Sequence, residues 1–90
     1  MDFKGKVAVV TGGAGGIGRA ASVAFAWHGA SVVVVDRDPA GGEETAKLAR
    51  EASGGEARFV RADVTKSAEV EGYVEAALEA YGGIHCFFNN

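Results

Sequence analysis

The 90 residues hold a single cysteine, fewer basic than acidic side chains and no apolar run near membrane length. Each shortage removes a class of explanation. A lone thiol, Cys86, forms no internal disulfide, and its place in an apolar run reads as an inert buried side chain. Nine basic residues against twelve acidic ones give a net charge of −3, with no cationic patch to neutralise nucleic-acid phosphates. The runs Val7 to Val10 and Val32 to Val35 fall far short of the ~20 residues a spanning helix needs, and Met1-Asp2-Phe3-Lys4 is not the n-region of a signal peptide. What remains is a cytoplasmic globular chain of one domain or a piece of one, with neither nucleic acid nor membrane as partner.

Glycine, by contrast, is plentiful, and five glycines fall within the seven positions from Gly12 to Gly18. The stretch Thr11-Gly12-Gly13-Ala14-Gly15-Gly16-Ile17-Gly18 lies between the apolar run ending at Val10 and an alanine-rich segment, Arg19 to His28. Glycines there let the backbone turn sharply and approach a diphosphate with no Cβ in the way. The first N–H groups of the helix that follows have no intrahelical partner and carry the positive end of its dipole, so an anion gains several hydrogen bonds there without a lysine.

Taken in order, Lys6 to Val10 reads as a strand buried on both faces. Ile17, Ala20, Ala21, Ala24 and His28 have helical spacing, Phe25 and Trp27 widen the apolar stripe as core or subunit contacts, and Gly29 ends the helix. Ser31 to Val35 is a second buried strand that delivers Asp36 to its carboxyl end. Asp38-Pro39 reads as an N-cap and first helical residue, and Glu43 to Ala52 continues to a stop at Gly54-Gly55. Gly41 and Gly42 cost up to about 1 kcal/mol each relative to alanine, so that end is expected to fray. Ala57 to Ala62, with Arg58 and Arg61, suits an edge strand. A helix from about Thr65 or Ser67 to Tyr81 sets Val70, Val74, Ala77, Leu78 and Tyr81 on one face. Glu71, Glu75 and Glu79 form an opposite, solvated face with no arrangement for acid or metal chemistry. Gly82-Gly83 caps it, and Ile84 to Phe88 is a fourth strand. The order β-α-β-α-β-α-β with right-handed crossovers predicts a parallel sheet ordered 3-2-1-4, the first half of a Rossmann-type doubly wound α/β fold spanning residues 1–90. The first two helices then share one sheet face, with the third on the other.

A G-x-G-x-x-G pattern is weak evidence alone, but here it follows a strand, opens a helix and precedes Asp36 by eighteen residues, where a carboxylate can accept both ribose hydroxyls of adenosine. The simpler role for Asp36 is a helix or turn cap. With these residues in view, Thr11-Gly12-x-x-x-Gly16-Ile17-Gly18 resembles the glycine signature of the classical short-chain dehydrogenase/reductase family. Asp63-Val64 is similar to that family's adenine-contacting pair, and Asn89-Asn90 to the first half of its Asn-Asn-Ala-Gly motif. The resemblance implies cofactor binding by Gly12, Gly15, Gly16, Ile17 and Gly18 around the diphosphate, with Gly18 also admitting close helix packing. It implies Asp36 and Arg37 at the ribose, Asp63 and Val64 at adenine, and Asn90 beside the ribose, whereas Asn89 ties strands together. His85 departs from the acidic residue common in the family, which affects only contacts at the start of the fourth strand.

The family's Tyr-x-x-x-Lys pair and serine are absent: Tyr73 is followed four residues on by Ala77, and Tyr81 by His85. The resemblance therefore implies the cofactor half of an oxidoreductase, inactive alone and with no catalytic or metal-binding residue of its own. Its parent would use NAD(H) in preference to NADP(H), because Asp36 opposes a 2′-phosphate and no basic residue stands at Ala14 or Gly15, with Arg37 as the charge that argues the other way. It would act on a small alcohol or carbonyl substrate, as a homo-oligomer. A non-catalytic dinucleotide-binding module on the same fold shares every motif present and stays open. A methyltransferase is disfavoured by Gly16-Ile17-Gly18 following so closely on Gly12.

Overall fold

The computed structural model describes residues 3–53 and 55–90. Met1 and Asp2, read above as no leader, and Gly54, read as part of a helix stop, lie outside the described residues. The elements run β1 (Val7–Thr11), α1 (Gly16–Trp27), β2 (Ser31–Asp36), α2 (Pro39–Ser53), β3 (Ala57–Arg61), α3 (Ser67–Tyr81) and β4 (Cys86–Asn89). The four strands form one parallel sheet in the order β3-β2-β1-β4. Val7 pairs with Ser31 and Thr11 with Val35, so β1 and β2 end level with one another.

Burial follows the strand period of two. Ala8, Val10, Val32 and Val34 pack with Ala26 of α1 and with Ala46 and Ala49 of α2; Val9, Val33 and Val35 face Tyr73 and Ala77 of α3. The valines from Val32 to Val35 are wholly buried because helices cover both faces of β2. The helices contribute mainly alanine, so they lie close to the sheet.

Two helix faces differ from the sequence expectation. In α1 the buried residues are Gly18, Ser22 and Ala26, with Ala21 and Phe25 partly covered, whereas Ile17 and Trp27 are each 68% exposed and Ala20, Ala24 and His28 also face solvent. A helix of small residues packs through whichever stripe lets its backbone approach most closely, and that stripe is glycine, serine and alanine. Ser22 is accommodated because its hydroxyl donates to the Gly18 carbonyl at 2.8 Å. Trp27 instead borders a surface groove of about 600 Å³ with Val23 and Leu48. In α3 the inward face is Val70, Tyr73, Val74, Ala77 and Tyr81, while Leu78 is 47% exposed. Tyr73 is large enough to span from α3 to β4, its ring centroid 6.1 Å from that of Phe87.

Helix α2 runs unbroken through Gly41 and Gly42, where fraying was expected. Asp38 supplies the cap, its Oδ1 accepting from the Gly41 N–H at 3.2 Å, and Gly42 lies against the Phe59 ring, where a Cβ would collide. Strand β4 begins at Cys86, two residues later than expected, and Cys86 is half-buried. His85 is exposed and fastens the start of β4: its N–H donates to the Val7 carbonyl at 2.9 Å and its Nδ1 accepts from the Val7 N–H at 2.9 Å. Gly82 ends α3 in the left-handed conformation, φ 78°. Among the described residues no helix is long and apolar enough to cross a membrane.

Gly72 sits exposed in the middle of α3 with nothing within 4 Å of where a Cβ would be. The substitution Gly72→Ala therefore stabilises the chain by about 0.5–1 kcal/mol through helix propensity alone. Thermal unfolding followed by circular dichroism should show the midpoint rise by several degrees; a fall would mean that the α3 backbone is packed differently.

Candidate cofactor site

The carboxyl ends of β1, β2 and β4 meet at one rim of the sheet, the place where open α/β sheets take their ligands. The turn after β1 rises from that rim. Gly12 adopts φ 66° and Gly16 φ 56°, both in the region that favours glycine. A Cβ on Gly18 would strike the Gly12 carbonyl oxygen and lie 2.7 Å from its carbon. Only glycine at 18 lets α1 start against the end of β1. Gly15 is the N-cap in extended conformation, no side chain caps the helix, and no acidic residue occupies its first turn. The N–H groups of Gly16, Ile17 and Gly18 thus stand at the positive end of the helix, with no acidic side chain in its own first turn.

The end of β2 supplies Asp36. Its Oδ2 accepts from the Ala14 N–H at 3.0 Å and its Oδ1 from the Asp38 N–H at 3.0 Å. Asp36 thus does the capping work that the sequence reading set second. A carboxylate has about four acceptor sites, so two backbone bonds leave room for further donors. Beside it, Gly12, Asp36, Arg37, Ala62, Val64 and Asn90 line a notch of about 110 Å³. Five residues singled out from sequence, drawn from four separate segments, meet there: Gly12, Asp36, Arg37, Val64 and Asn90. Val64 is 42% exposed at its mouth.

Asp63 faces an adjoining polar cavity of about 190 Å³ shared with Arg37, Arg61, Lys66 and Glu69. Its Oδ1 accepts from the Thr65 hydroxyl at 2.6 Å and the Thr65 N–H at 3.0 Å. These bonds, the hydroxyl first, hold its carboxyl below the usual range, and the Arg37 and Lys66 charges act in the same direction. The Asp63 N–H donates to Glu69 Oε1 at 2.9 Å, which fastens this loop to the first turn of α3. Among the described residues no three His, Cys, Asp or Glu side chains converge as a metal site.

The end of β4 is tied to the turn through Thr11, a wholly buried residue for which the sequence suggested no role. Its hydroxyl donates to Asn89 Oδ1 at 2.9 Å and accepts from the Asn90 N–H at 3.1 Å. Asn89 thereby joins two strands, and Asn90 is left at the notch with its Nδ2 3.4 Å from the Gly12 carbonyl. Sequence reasoning also passed over Arg19, whose Nη2 donates to the Ala14 carbonyl at 2.6 Å. Nothing local announces that contact, because Arg19 reads as the polar start of a helix.

The chain is 46% identical over 90 residues to the uncharacterized oxidoreductase YuxG of Bacillus subtilis, covering 99% of this chain and 13% of that protein. Its fold matches that of NAD+-bound xylitol dehydrogenase with a TM-score of 0.95 at 36% identity, over 100% of this chain and 34% of that one. L-Sorbose reductase from Gluconobacter frateurii, in complex with NADPH and L-sorbose, matches at TM-score 0.94 and 37% identity, over 100% and 34%. The chain thus spans about a third or less of the length of these proteins. Residues 6–90 match the short chain dehydrogenase family, and with the glycine turn, the strand order and the rim of site residues in agreement, the chain belongs to that family of oxidoreductases.

Proposed function

We propose that the chain is the cofactor-binding part of an NAD(H)-dependent oxidoreductase that moves hydride between nicotinamide and the alcohol or carbonyl group of a small substrate. Residues 1–90 are then the first part of a single dinucleotide-binding domain, and the groups that handle the substrate proton lie in a later part of the protein. The carrying observation is Asp36, an anion held by two backbone N–H groups at the rim of the notch.

The residues present fit a dinucleotide. The uncapped start of α1 offers the Gly16, Ile17 and Gly18 N–H groups to a diphosphate. Gly12 leaves open a cradle that a Cβ would narrow, since it would stand 3.1 Å from Asn90 Nδ2. Asp36 receives the adenosine ribose hydroxyls, and the Asp63-Val64 segment flanks the adenine. Bound nicotinamide supplies or takes up the hydride. Reduction of a carbonyl also needs a proton donor tuned near the working pH, and among the described residues no histidine, tyrosine, lysine or cysteine lines the notch. Burial pushes the Tyr73 and Tyr81 hydroxyls up, Tyr81 further through Glu56, the opposite of what a donor needs. His28, beyond the last turn of α1, and His85, at the start of β4, lie at the other end of the sheet.

Charge at the notch favours NAD(H): Asp36 opposes a 2′-phosphate, and Arg37 beside it offsets part of that opposition. Similar folds occur with NAD+ and with NADPH, so the local residues must decide. At about 4 Å and an effective dielectric near 20, two unit charges interact by about 4 kcal/mol, and a third of that is a tenfold preference. Calorimetric titration should give a Kd for NAD+ at least tenfold below that for NADP+, and Asp36→Ser should narrow the gap toward NADP+. Equal constants, or no change in the variant, would overturn the assignment. With NADH and a panel of ketones, the 90 residues alone should oxidise no cofactor above the buffer rate, while a chain extended along its reading frame should. Turnover by the 90 residues, or an extended chain that binds NADH but never oxidises it, counts against the proposal.

A further inference from the structure

Five hydrogen bonds close a ring around the turn. The Ala14 N–H donates to Asp36 Oδ2 at 3.0 Å, the Asp38 N–H to Asp36 Oδ1 at 3.0 Å, and the Gly41 N–H to Asp38 Oδ1 at 3.2 Å. Arg19 Nη2 then donates to the Gly41 carbonyl at 3.1 Å and to the Ala14 carbonyl at 2.6 Å, which returns the path to its start. A sixth bond, from Arg19 Nε to the hydroxyl of the wholly buried Thr45 at 2.9 Å, fixes the guanidinium plane against α2. The close approach is enforced sterically, since a Cβ on Gly41 would lie 2.9 Å from the Ala14 Cβ and 2.9 Å from its carbonyl oxygen. Arg19 is the only side-chain donor in the ring: its Nη2 serves both carbonyls, and its Nε, held in the same rigid plane, serves the Thr45 hydroxyl.

We propose that Arg19 is a positioning residue for cofactor selection. It draws the first turn of α2 onto the glycine turn and so holds Ala14, and through Ala14 the Asp36 carboxylate, in the orientation that meets the adenosine ribose. The proposal rests on the dinucleotide reading above. Arg19 acts through Asp36 and makes no contact with the cofactor. Its positive charge, taken alone, would favour a 2′-phosphate, whereas its geometric role favours a fixed Asp36 and hence NAD+. The two effects have opposite signs, which makes them separable.

The test compares the wild-type chain with Arg19→Lys, Arg19→Met and Thr45→Val, measuring Kd for NAD+ and NADP+ by calorimetry, hydrogen exchange of the Ala14 amide by NMR, and the thermal midpoint. Arg19→Lys keeps the charge but not the fork. It should speed exchange at Ala14 about tenfold, weaken NAD+ about tenfold, and narrow the NAD+/NADP+ ratio at least threefold. Thr45→Val removes only the bond that steadies the guanidinium and should change the ratio less than Arg19→Lys does. Arg19→Met loses the charge as well as the fork, so it should speed Ala14 exchange and weaken NAD+ as Lys does but narrow the ratio less; if it does not fold, Arg19→Lys carries the decision. Wild-type affinity and ratio in Arg19→Lys would overturn the proposal by showing that only charge matters. A lowered midpoint with Ala14 exchange and the ratio unchanged would reduce Arg19 to a structural residue, and overturns it equally. A wild-type chain that binds neither nucleotide removes the dinucleotide reading and this proposal with it, and is recognised because the Ala14 exchange contrast can still be read without ligand.

Discussion

The contact on which the structure depends is the one between Gly18 and the backbone of Gly12, where any side chain at 18 would enter the Gly12 carbonyl. Because it is glycine, α1 begins directly over the end of β1, and the helix follows the glycine turn without a spacer. The uncapped N–H groups therefore stand at the rim of the sheet, where the ends of β2 and β4 arrive as well. Moving the helix start away by a few ångströms would leave the same residues with no shared site. The packing beneath is consistent with this: alanines from α1 and α2 meet a valine sheet at close range, and the backbone is positioned by proximity more than by large interlocking side chains.

The Asp36 carboxylate is held by backbone and not by another charge. Among the described residues Asp36 has two backbone N–H partners and no ion pair, in contrast to Glu69, which pairs with Lys66 at 4.0 Å. An acceptor fixed in this way keeps its negative charge available to a ligand, while a partner lysine would cancel it. Asp63 is built on the same plan, with Thr65 supplying its bonds. Asp36 and Asp63 are thus oriented by turns, and the turns are in turn held by α1, α2 and α3.

How much of this was legible in the chain depends on the range of each signal. The strands were readable because continuous valine runs such as Val32 to Val35 have few other uses, and the strand order followed from crossover handedness. The glycine turn and Asp36 were readable because their spacing encodes a strand-turn-helix-strand unit of fixed size. The buried face of α1 was not, since alanine, serine and glycine differ little in hydrophobicity and the deciding quantity was backbone proximity. The inward role of Tyr73 was not legible either, because it depends on the reach of the ring from α3 to Phe87 of β4. Thr11, Arg19 and His85 act over long sequence separations, as in the Thr11–Asn89 and Val7–His85 pairs, and no local pattern carries such contacts.

The central claim is that the start of α1 is the anion-holding end of a dinucleotide site. Titrating the nitrogen-15-labelled chain with ADP-ribose and following its amide resonances tests this most directly. The account predicts the largest saturable shifts at Gly16, Ile17 and Gly18, with smaller ones at Ala14, Val64 and Asn90. Shifts confined to the apolar hollow lined by Phe3, Phe25 and Phe88, or none at any concentration, would contradict it.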